Sequence, residues 1–268
     1  MQHRFLYVVL AVGIAHAQNT PGENPNSLTE LSLEQLLNVQ VETASLKKQS
    51  LSDAPADVTV ITAAEIRRYG YRTLAEVLSN VRGFYTTQDG GFQYPGVRGF
   101  ALLGDYNTRF LVMINGHQMT DSVYGAMYMF GQDFGVDMDI VEQIEIIRGP
   151  SSSLYGSNGV FASINVITKS AGHQGSGQIS TETGSFGETK VLASRTFSVG
   201  RTGAGFVAGS VFSTDGRRVG LSTVDNPGEV QSIGGVGKEQ GYHSFANLSW
   251  NRWSLTAMFG ERRISVPT

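Results

Sequence analysis

The sequence contains no cysteine, which excludes a disulfide framework and any zinc site built on thiolates. Charge is also scarce, since only 16% of the residues are Asp, Glu, Lys or Arg. The 20 basic and 23 acidic residues nearly balance, so the composition offers no concentrated basic surface and we expect no nucleic-acid partner. The 33 glycines favour β structure with many turns over long solvated helices.

No apolar run is long enough to cross a bilayer as a helix, which takes roughly 20 residues. The run from Phe5 to Ile14 follows a short basic start and is only about half that length. Ala15-His16-Ala17 then places small residues at the positions that a signal peptidase reads. We therefore interpret residues 1–17 as a secretory signal peptide rather than a membrane anchor.

Residues 18–44 form a separate N-terminal region. The first ten are polar and rich in Pro and Asn, which is typical of a disordered lead-in. Ser32 to Gln35 has the spacing of a capping box and predicts a short helix over 32–38. The alternation that follows, through Ala44, predicts an extended segment.

Residues 45–170 have the pattern of an α/β (α+β) domain with about four strands and short helices. Two capping boxes, Thr62 to Glu65 and Thr73 to Glu76, predict two helices that end at Gly70 and Gly83. Apolar runs predict strands at 58–61, 110–114, 140–147 and 164–168, and Gly, Pro and Asp clusters predict loops at 89–91 and 94–96. Residues 117–134 have no clean period and predict a long loop.

Residues 171–268 lose the helical signals and alternate between apolar and polar positions. Segments of about ten residues, at 177–183, 188–199, 203–214, 241–250 and 252–263, have one apolar and one polar face, as in the wall of an outer-membrane barrel. A soluble β-sandwich alternates in the same way, so periodicity leaves both open. Roughly five strands are too few to close a membrane barrel, which needs at least eight. We expect a fragment of a longer protein, or one completed by a partner.

Residues 39–169 carry an ordered series of short motifs. The series is Asp53–Thr62 (DAPADVTVIT), Thr73–Leu78 (TLAEVL), Val97–Phe100 (VRGF), Leu111–Gly116 (LVMING), Ile144–Pro150 (IEIIRGP), Leu154–Ser157 (LYGS) and Ile164–Lys169 (INVITK). In order and spacing it resembles the plug domain of TonB-dependent receptors. Three positions depart from the family pattern, namely Arg82, Asn115 and the segment 161–163. Asn115 replaces the usual Asp, and Asn is as compatible with a turn as Asp is.

The resemblance implies a transporter that imports a scarce nutrient across the bacterial outer membrane. The fold expected is a plug domain followed by the start of an antiparallel transmembrane β-barrel that is incomplete. The ligand would be a ferric siderophore, cobalamin or a similar nutrient, with TonB and outer-membrane lipid as further partners. No cofactor and no bound metal are expected.

The family receives energy through a short extended segment called the TonB box. Our candidate is Asn38, Val39, Gln40, Val41, Glu42, Thr43 and Ala44, which would recruit TonB by strand addition. An ordinary linker strand is the alternative. The helix predicted just upstream would be a solvated cap or a periplasmic regulatory contact.

Other site residues follow from the resemblance. Arg98 and Arg148 are expected to pair with carboxylates of the barrel wall, because a buried Arg needs such partners; a surface position without a role is the alternative. Ligand contacts are expected from loops 88–94 and 117–128, with Phe92, Gln93, Tyr94, Tyr124 and Tyr128 as candidates. Packing of these aromatic rings against the barrel is the alternative.

Three rival functions find less support. The chain lacks a nucleophile elbow, a P-loop, an HExxH motif and a dinucleotide fingerprint, so we expect no enzyme. The acidic residues Asp133, Asp137, Asp139 and Glu142 lack EF-hand spacing and are expected to be solvated.

A passive porin would not need an α/β domain before its barrel. A signalling transducer would need more residues before the box.

We predict that replacing Arg148 with Ala loosens the plug, because an ion pair that holds it is lost. Entry of a large antibiotic and nutrient uptake by the assembled receptor measure this. Unchanged antibiotic exclusion together with unchanged uptake would contradict the prediction.

Overall fold

The computed structural model describes residues 11–14, 40–41, 49–50, 57–89, 91–101, 104, 107, 109–121, 125, 127, 129–150, 159–170, 177–222 and 230–265. The helix predicted over 32–38 and the motif at 154–157 lie outside these residues. Among the described residues, no helix is both long and apolar enough to cross a membrane.

The elements fall into two groups along the chain. The first part contains β1 (Ala11–Ile14), β2 (Gln40–Val41), β3 (Gln49–Ser50), β4 (Asp57–Thr62), α1 (Ala63–Tyr69), α2 (Leu74–Ser79), β5 (Phe84–Gln88), β6 (Gln93–Val97), β7 (Phe110–Ile114), β8 (His117–Gln118), β9 (Val141–Arg148) and β10 (Ala162–Thr168). The second contains β11 (Gly177–Thr183), β12 (Thr189–Val199), β13 (Gly203–Thr214), β14 (Arg217–Ser222), β15 (Val230–Val236), β16 (Glu239–Trp250) and β17 (Trp253–Ile264).

The α/β domain is built on a five-stranded mixed sheet in the order β4-β9-β10-β7-β8. β10 runs parallel to β7 and antiparallel to β9. Asn115 and Gly116 close the hairpin between β7 and β8 with φ angles of 51° and 79°, the paired positive values that a tight hairpin turn requires. The Asn115 side chain also exchanges hydrogen bonds with Thr168 at 2.9 Å, so the turn is tied to β10.

Helix α1 follows its predicted bounds. The Thr62 hydroxyl accepts from the Glu65 amide, and the Glu65 carboxylate accepts from the Thr62 amide at 2.9 Å, which completes the capping box. Gly70 ends the helix with a φ of 66°, a conformation that glycine adopts at little cost.

Helix α2 begins as predicted but ends earlier. Thr73 caps it at the Glu76 amide, 3.2 Å away, yet the Glu76 carboxylate binds Arg72 instead of reaching back to Thr73. The helix ends at Ser79 rather than at Gly83. The Asn80 side chain donates to the Glu76 carbonyl at 3.0 Å, so this carbonyl of the last turn has a hydrogen-bond donor without a further helical residue. The predicted end at Gly83 was therefore wrong.

The loop predicted at 94–96 was also wrong, since these residues lie in strand β6, paired with β5. Pro95 is tolerated there because β5 and β6 form an isolated two-stranded ribbon, and proline is compatible with an edge strand. The turn at 89–92, of which the structure describes Asp89, Gly91 and Phe92, joins the two strands.

The domain core lies between the sheet and the helices. Leu74, Val77 and Leu78 of α2 are fully buried and pack in one cluster with the apolar side chains of β7, β9 and β10. Each such side chain contributes about 1.5–3 kcal/mol by leaving water. Phe130 and Phe134 of the long connection before β9 join the same cluster.

The second part forms one antiparallel sheet, which we call the wall sheet, in the order β1-β17-β16-β13-β12-β11. Five of its strands match the predicted segments to within two residues. The hairpin β14–β15 between β13 and β16 was not predicted, because glycines interrupt its alternation. β1 pairs with the outer edge of β17 and satisfies backbone groups that would otherwise stay open.

The outer face of the wall sheet is apolar as expected, whereas the inner face carries apolar side chains among the polar ones. Val191, Val207 and Val211 point outward and are 40–58% exposed. Leu192, Phe206 and Phe245 point inward and join the core cluster of the α/β domain. The inner face of the wall sheet is therefore covered by the α/β domain, and its apolar outer face is left open.

We predict that Leu78→Ala destabilises the α/β domain by about 2–5 kcal/mol, because it opens a cavity in a closely packed core. The urea concentration at which the domain of the membrane-assembled protein becomes protease-sensitive measures this. Tyr69→Ala is the control, since that side chain is 63% exposed, and an equal shift in both variants would refute the prediction.

Candidate functional site

The α/β domain meets the wall sheet through residues 131–139, which we call the docking segment. It follows Phe130 and leads into β9. Its apolar side chains Phe134, Val136 and Met138 point into the core. Its carboxylates Asp133, Asp137 and Asp139 face the wall sheet. Alternation of this kind lets one segment serve both the core and the interface.

Lys190 of β12 is the centre of the interface. Its side chain is almost fully buried, and its Nζ lies 3.1 Å from Asp137 Oδ1 and 2.7 Å from Asp139 Oδ2. Glu182 of β11 lies 3.0 Å from the same nitrogen. A buried ammonium group requires such partners, because leaving it unpaired costs several kcal/mol.

Asp133 and Asp139 respond differently to burial. Burial raises the pKa of Asp133, because the carboxylate loses hydration. Arg262 lies 3.8 Å away, and its charge lowers this pKa by less than burial raises it. Burial also opposes ionisation of Asp139, but hydrogen bonds with Glu182 and Lys190 outweigh it and lower the pKa of Asp139. The expectation that the acidic residues are solvated was therefore wrong for Asp133, Asp137 and Asp139, which lie against cations of the wall sheet, and it is confirmed for Glu142, which is exposed.

Two further contacts hold the docking segment. His243 of β16 approaches the Gln132 carbonyl with Nε2 at 2.8 Å and stacks on Phe212. Gly135 lies against Met258 of β17, and a Cβ atom at this glycine would come within 3.1 Å of the sulfur. The absence of a side chain there allows the two surfaces to approach closely.

Arg262 of β17 makes a third polar contact. Its Nε and Nη2 lie 2.8 and 2.7 Å from Glu239 Oε2. Its Nη1 donates to the Gly91 carbonyl at 2.7 Å, in the turn between β5 and β6. The wall sheet therefore contacts the α/β domain at the docking segment and at this turn.

The register of the wall sheet explains why these contacts coincide. Lys190 pairs with Phe212, Phe212 with Gly241, and Gly241 with Arg262, so all four lie in one row across the strands. The Phe212 ring covers Gly241, where a Cβ would approach it to 2.6 Å. The two cations thus flank an aromatic ring on the inner face, at one level of the sheet.

The turn at 89–92 has a defined shape. Asp89 Oδ1 accepts from the amides of Gly91 and Phe92 at 2.9 and 2.8 Å, and the Tyr94 hydroxyl donates to Oδ2 at 2.8 Å. Partial burial alone would raise the pKa of Asp89, but these hydrogen bonds lower it. The turn is therefore stabilised by the ionised carboxylate of its first residue, Asp89.

The structure brings together three of the five candidate ligand residues. Phe92, Gln93 and Tyr94 lie at this turn and are half-buried. Gln93 accepts from the Thr73 hydroxyl at 3.1 Å, which joins β6 to the start of α2. Tyr124 and Tyr128 lie outside the described residues. A ligand role for all five stays a prediction.

The two arginines of the motifs occupy different environments. Arg148 Nη2 binds Asp57 Oδ1 of neighbouring β4 at 2.7 Å, and its buried Nε has no hydrogen bond within the described residues. The ion pair recorded for Arg148 thus lies inside the α/β domain rather than across to the wall sheet. Arg98 is exposed and has a φ of 54°, in the turn after β6. A wall contact for either arginine stays a prediction.

The candidate TonB box is described only in part. Gln40 and Val41 form β2 and pair with Ser50 and Gln49 of β3, which agrees with the predicted extended conformation. Asn38, Val39, Glu42, Thr43 and Ala44 lie outside the described residues.

Sequence reasoning missed Lys190, His243 and Arg262. All three stand on the polar face of alternating strands, so their inward direction was readable from the pattern. Their partners were not, because each lies far away in the chain.

Residues 50–163 match the family model for the TonB-dependent receptor plug domain. Among curated proteins, the vitamin B12 transporter BtuB of Vibrio cholerae serotype O1 is 28% identical over 212 residues, covering 79% of this chain and 34% of BtuB. The iron-regulated outer membrane virulence protein of the same species is 30% identical over 146 residues, covering 53% of this chain and 22% of that protein. The chain thus spans about a third of the length of BtuB.

Solved structures share the fold. The ferripyoverdine receptor of Pseudomonas aeruginosa superposes with a TM-score of 0.59 at 18% identity, covering 84% of this chain and 27% of the receptor. The ferric-catecholate import receptor Fiu of E. coli K12 gives a TM-score of 0.59 at 20% identity, covering 80% of this chain and 28% of Fiu. The α/β domain and the wall sheet therefore share the fold of the plug domain and first barrel strands of these receptors.

We predict that Lys190→Met loosens the plug by about 3–5 kcal/mol, because the buried carboxylates of Asp137 and Asp139 lose their counter-charge. Sensitivity to vancomycin of cells that carry the assembled protein measures the effect.

Two further variants sharpen this test. Adding Asp137→Asn and Asp139→Asn to Lys190→Met should restore exclusion, since no unpaired charge remains in the docking segment. Arg195→Met is the control, because Arg195 is exposed on the opposite face of the same strand. Full exclusion by the single Lys190 variant would refute the role of the ion pairs.

Proposed function

Because this chain carries the plug domain of the TonB-dependent receptors, we propose that it forms the plug and first wall strands of a bacterial outer-membrane receptor that imports a scarce nutrient. The plug gates the barrel, and TonB moves it. The observation that carries this proposal is the seating of an α/β domain on the inner face of an antiparallel sheet whose outer face is apolar.

The outer face of the wall sheet supports contact with lipid. Trp250 and Trp253 are 50% and 59% exposed at one end of β16 and β17, where an interfacial aromatic belt would lie. Valines of β12 and β13 are exposed between the strand ends. A soluble β-sandwich would bury this face against a second sheet, whereas a membrane barrel presents it to hydrocarbon.

The connections of the wall sheet support an orientation. Short turns join β12 to β13 and β16 to β17, whereas a long connection with the hairpin β14–β15 joins β13 to β16. In outer-membrane barrels the short turns face the periplasm and the long loops face outside. Arg262 lies toward the long-connection end, roughly 30 Å along β17 from Trp253 at the rise of a β-strand. The turn at 89–92, which Arg262 contacts, would then face the outside.

This orientation supports Phe92, Gln93 and Tyr94 as ligand contacts. Relatives are named as a vitamin B12 transporter and as receptors for ferripyoverdine and ferric catecholates. We propose the same broad class for this chain, namely an iron chelate, cobalamin or a comparable nutrient, without a resident cofactor.

Residues 1–17 are proposed as the export signal. Cleavage after Ala17 would remove β1 and free the edge of β17 that β1 occupies. The next barrel strand would then pair with this edge, because lipid tolerates no unpaired strand edge.

TonB is the proposed energy source, and residues 38–44 are the proposed box. The extended conformation at Gln40 and Val41 supports strand addition; β3 pairs with one edge of β2, so TonB would pair with the other edge. A passive porin is the competing function, and it predicts uptake that is independent of TonB.

We predict that Val41→Pro abolishes uptake, because proline removes a backbone donor from the paired segment. The test uses the gene that encodes this chain, in a host without its own receptors for cyanocobalamin and ferric enterobactin. Uptake of each labelled nutrient is measured with and without TonB.

Val41→Ala is the matched control, since it keeps the backbone donor, and it should transport normally. Equal uptake in hosts with and without TonB would favour the porin. Loss of uptake without TonB but normal uptake by the proline variant would move the box elsewhere.

A further inference from the structure

One side chain of the wall sheet joins the outward-facing turn of the plug. Arg262 Nη1 donates to the Gly91 carbonyl at 2.7 Å, across 171 positions of the chain. The side chain is only 13% exposed, so this charge-assisted hydrogen bond is shielded from water and is stronger than a neutral one.

The direction of the guanidinium group is fixed by the wall itself. Nε and Nη2 both lie within 2.8 Å of Glu239 Oε2 on neighbouring β16. This two-point contact orients the planar group and leaves Nη1 pointing toward the plug. The carboxyl group of Asp133, in the docking segment, lies 3.8 Å from Nη1.

The turn at 89–92 behaves as a small preformed unit. Asp89 holds the amides of Gly91 and Phe92 and the hydroxyl of Tyr94. These bonds fix the shape of the turn, but all of them lie within the turn and its flanking strand. Its position relative to the wall depends on other contacts, and Arg262 provides one of them.

We propose that Arg262 is a positioning residue that holds the turn at 89–92, and with it Phe92, Gln93 and Tyr94, in the place where the plug receives its ligand. The ligand part of this inference rests on the proposed function, whereas the tether between wall and turn does not. A residue of the barrel wall thereby sets the geometry of a plug surface.

Arg263 offers a matched control. It follows Arg262 on the same strand but points to the opposite face, where it pairs with Glu261 at 2.7 Å and is 50% exposed. Arg262→Gln and Arg263→Gln remove the same charge from adjacent positions. Arg262→Lys keeps the charge but loses the planar fork that contacts Glu239 and Gly91 together.

The first test measures the position of the turn directly. This chain has no cysteine, so Gln88→Cys gives it a single thiol for a spin label in the membrane-assembled protein, and the labelled parent without Gln88→Cys is the control for label bound elsewhere. Gln88 is exposed at the start of the turn. We expect Arg262→Gln to raise the mobile fraction of the label severalfold, Arg262→Lys to have a smaller effect, and Arg263→Gln to leave the spectrum unchanged.

The second test measures binding of ferric enterobactin and cyanocobalamin to the same membranes without the label. For the probe that binds, Arg262→Gln should weaken affinity about tenfold, the effect of losing one hydrogen bond to a charged group, while the number of sites is unchanged. A merely structural role would lower the number of sites instead of the affinity.

The outcomes separate the two proposals. An unchanged label spectrum in Arg262→Gln overturns the tether, whatever the probes do. A mobile label with unchanged affinity overturns its role in positioning the ligand surface. If the parent protein binds neither probe, ferric enterobactin and cyanocobalamin are both excluded as its nutrient under the proposed function, and the spectrum still decides the tether.

Discussion

The ammonium group of Lys190 lies buried between the α/β domain and the wall sheet. Water cannot solvate it there, so carboxylates must. Asp137 and Asp139 of the docking segment and Glu182 of the wall sheet meet this need within 3.1 Å. Because these carboxylates come from both parts, neither satisfies its buried charges alone. This requirement fixes where the α/β domain sits against the wall sheet.

The second constraint concerns backbone rather than side chains. Each strand edge carries donors and acceptors that need partners, most strictly in lipid. The inner strands of the wall sheet satisfy one another, and β1 occupies part of the outer edge of β17. The side chains follow from the same geometry, since alternation sends Val191, Val207 and Val211 outward and Lys190, His243 and Arg262 inward. One row of the sheet then holds both cations that contact the plug.

The candidate site combines a rigid interface with a shaped turn. The docking segment is held by ion pairs, by His243 and by close approach at Gly135. The turn at 89–92 has its own hydrogen bonds, and Arg262 connects it to the wall. Precise placement of binding groups requires support of this kind from surrounding residues. The wall therefore contributes to the plug surface, although none of the predicted ligand residues lies on it.

Local chemistry in the sequence was enough to place most elements. Thr62, Glu65 and Gly70 define α1, because capping acts within four residues. Alternation located the five long wall strands, because it too is a pattern of neighbouring residues. The hairpin β14–β15 was missed because glycines interrupt its alternation. Of the candidate site, the turn that carries Phe92 was placed correctly on a loop, but the strand at 94–96, which carries Tyr94, was missed because proline and glycine usually signal a turn.

The sequence by itself determined where most of the helices, strands and turns lie, and which side chains of each long wall strand share a face. The tertiary structure alone decided what that polar face meets: that Asp137 and Asp139 bind Lys190, that Arg148 binds Asp57, and that Arg262 reaches Gly91. The reason is physical. Periodicity and capping act over a few residues, whereas the pairing of buried charges depends on how distant segments pack in space.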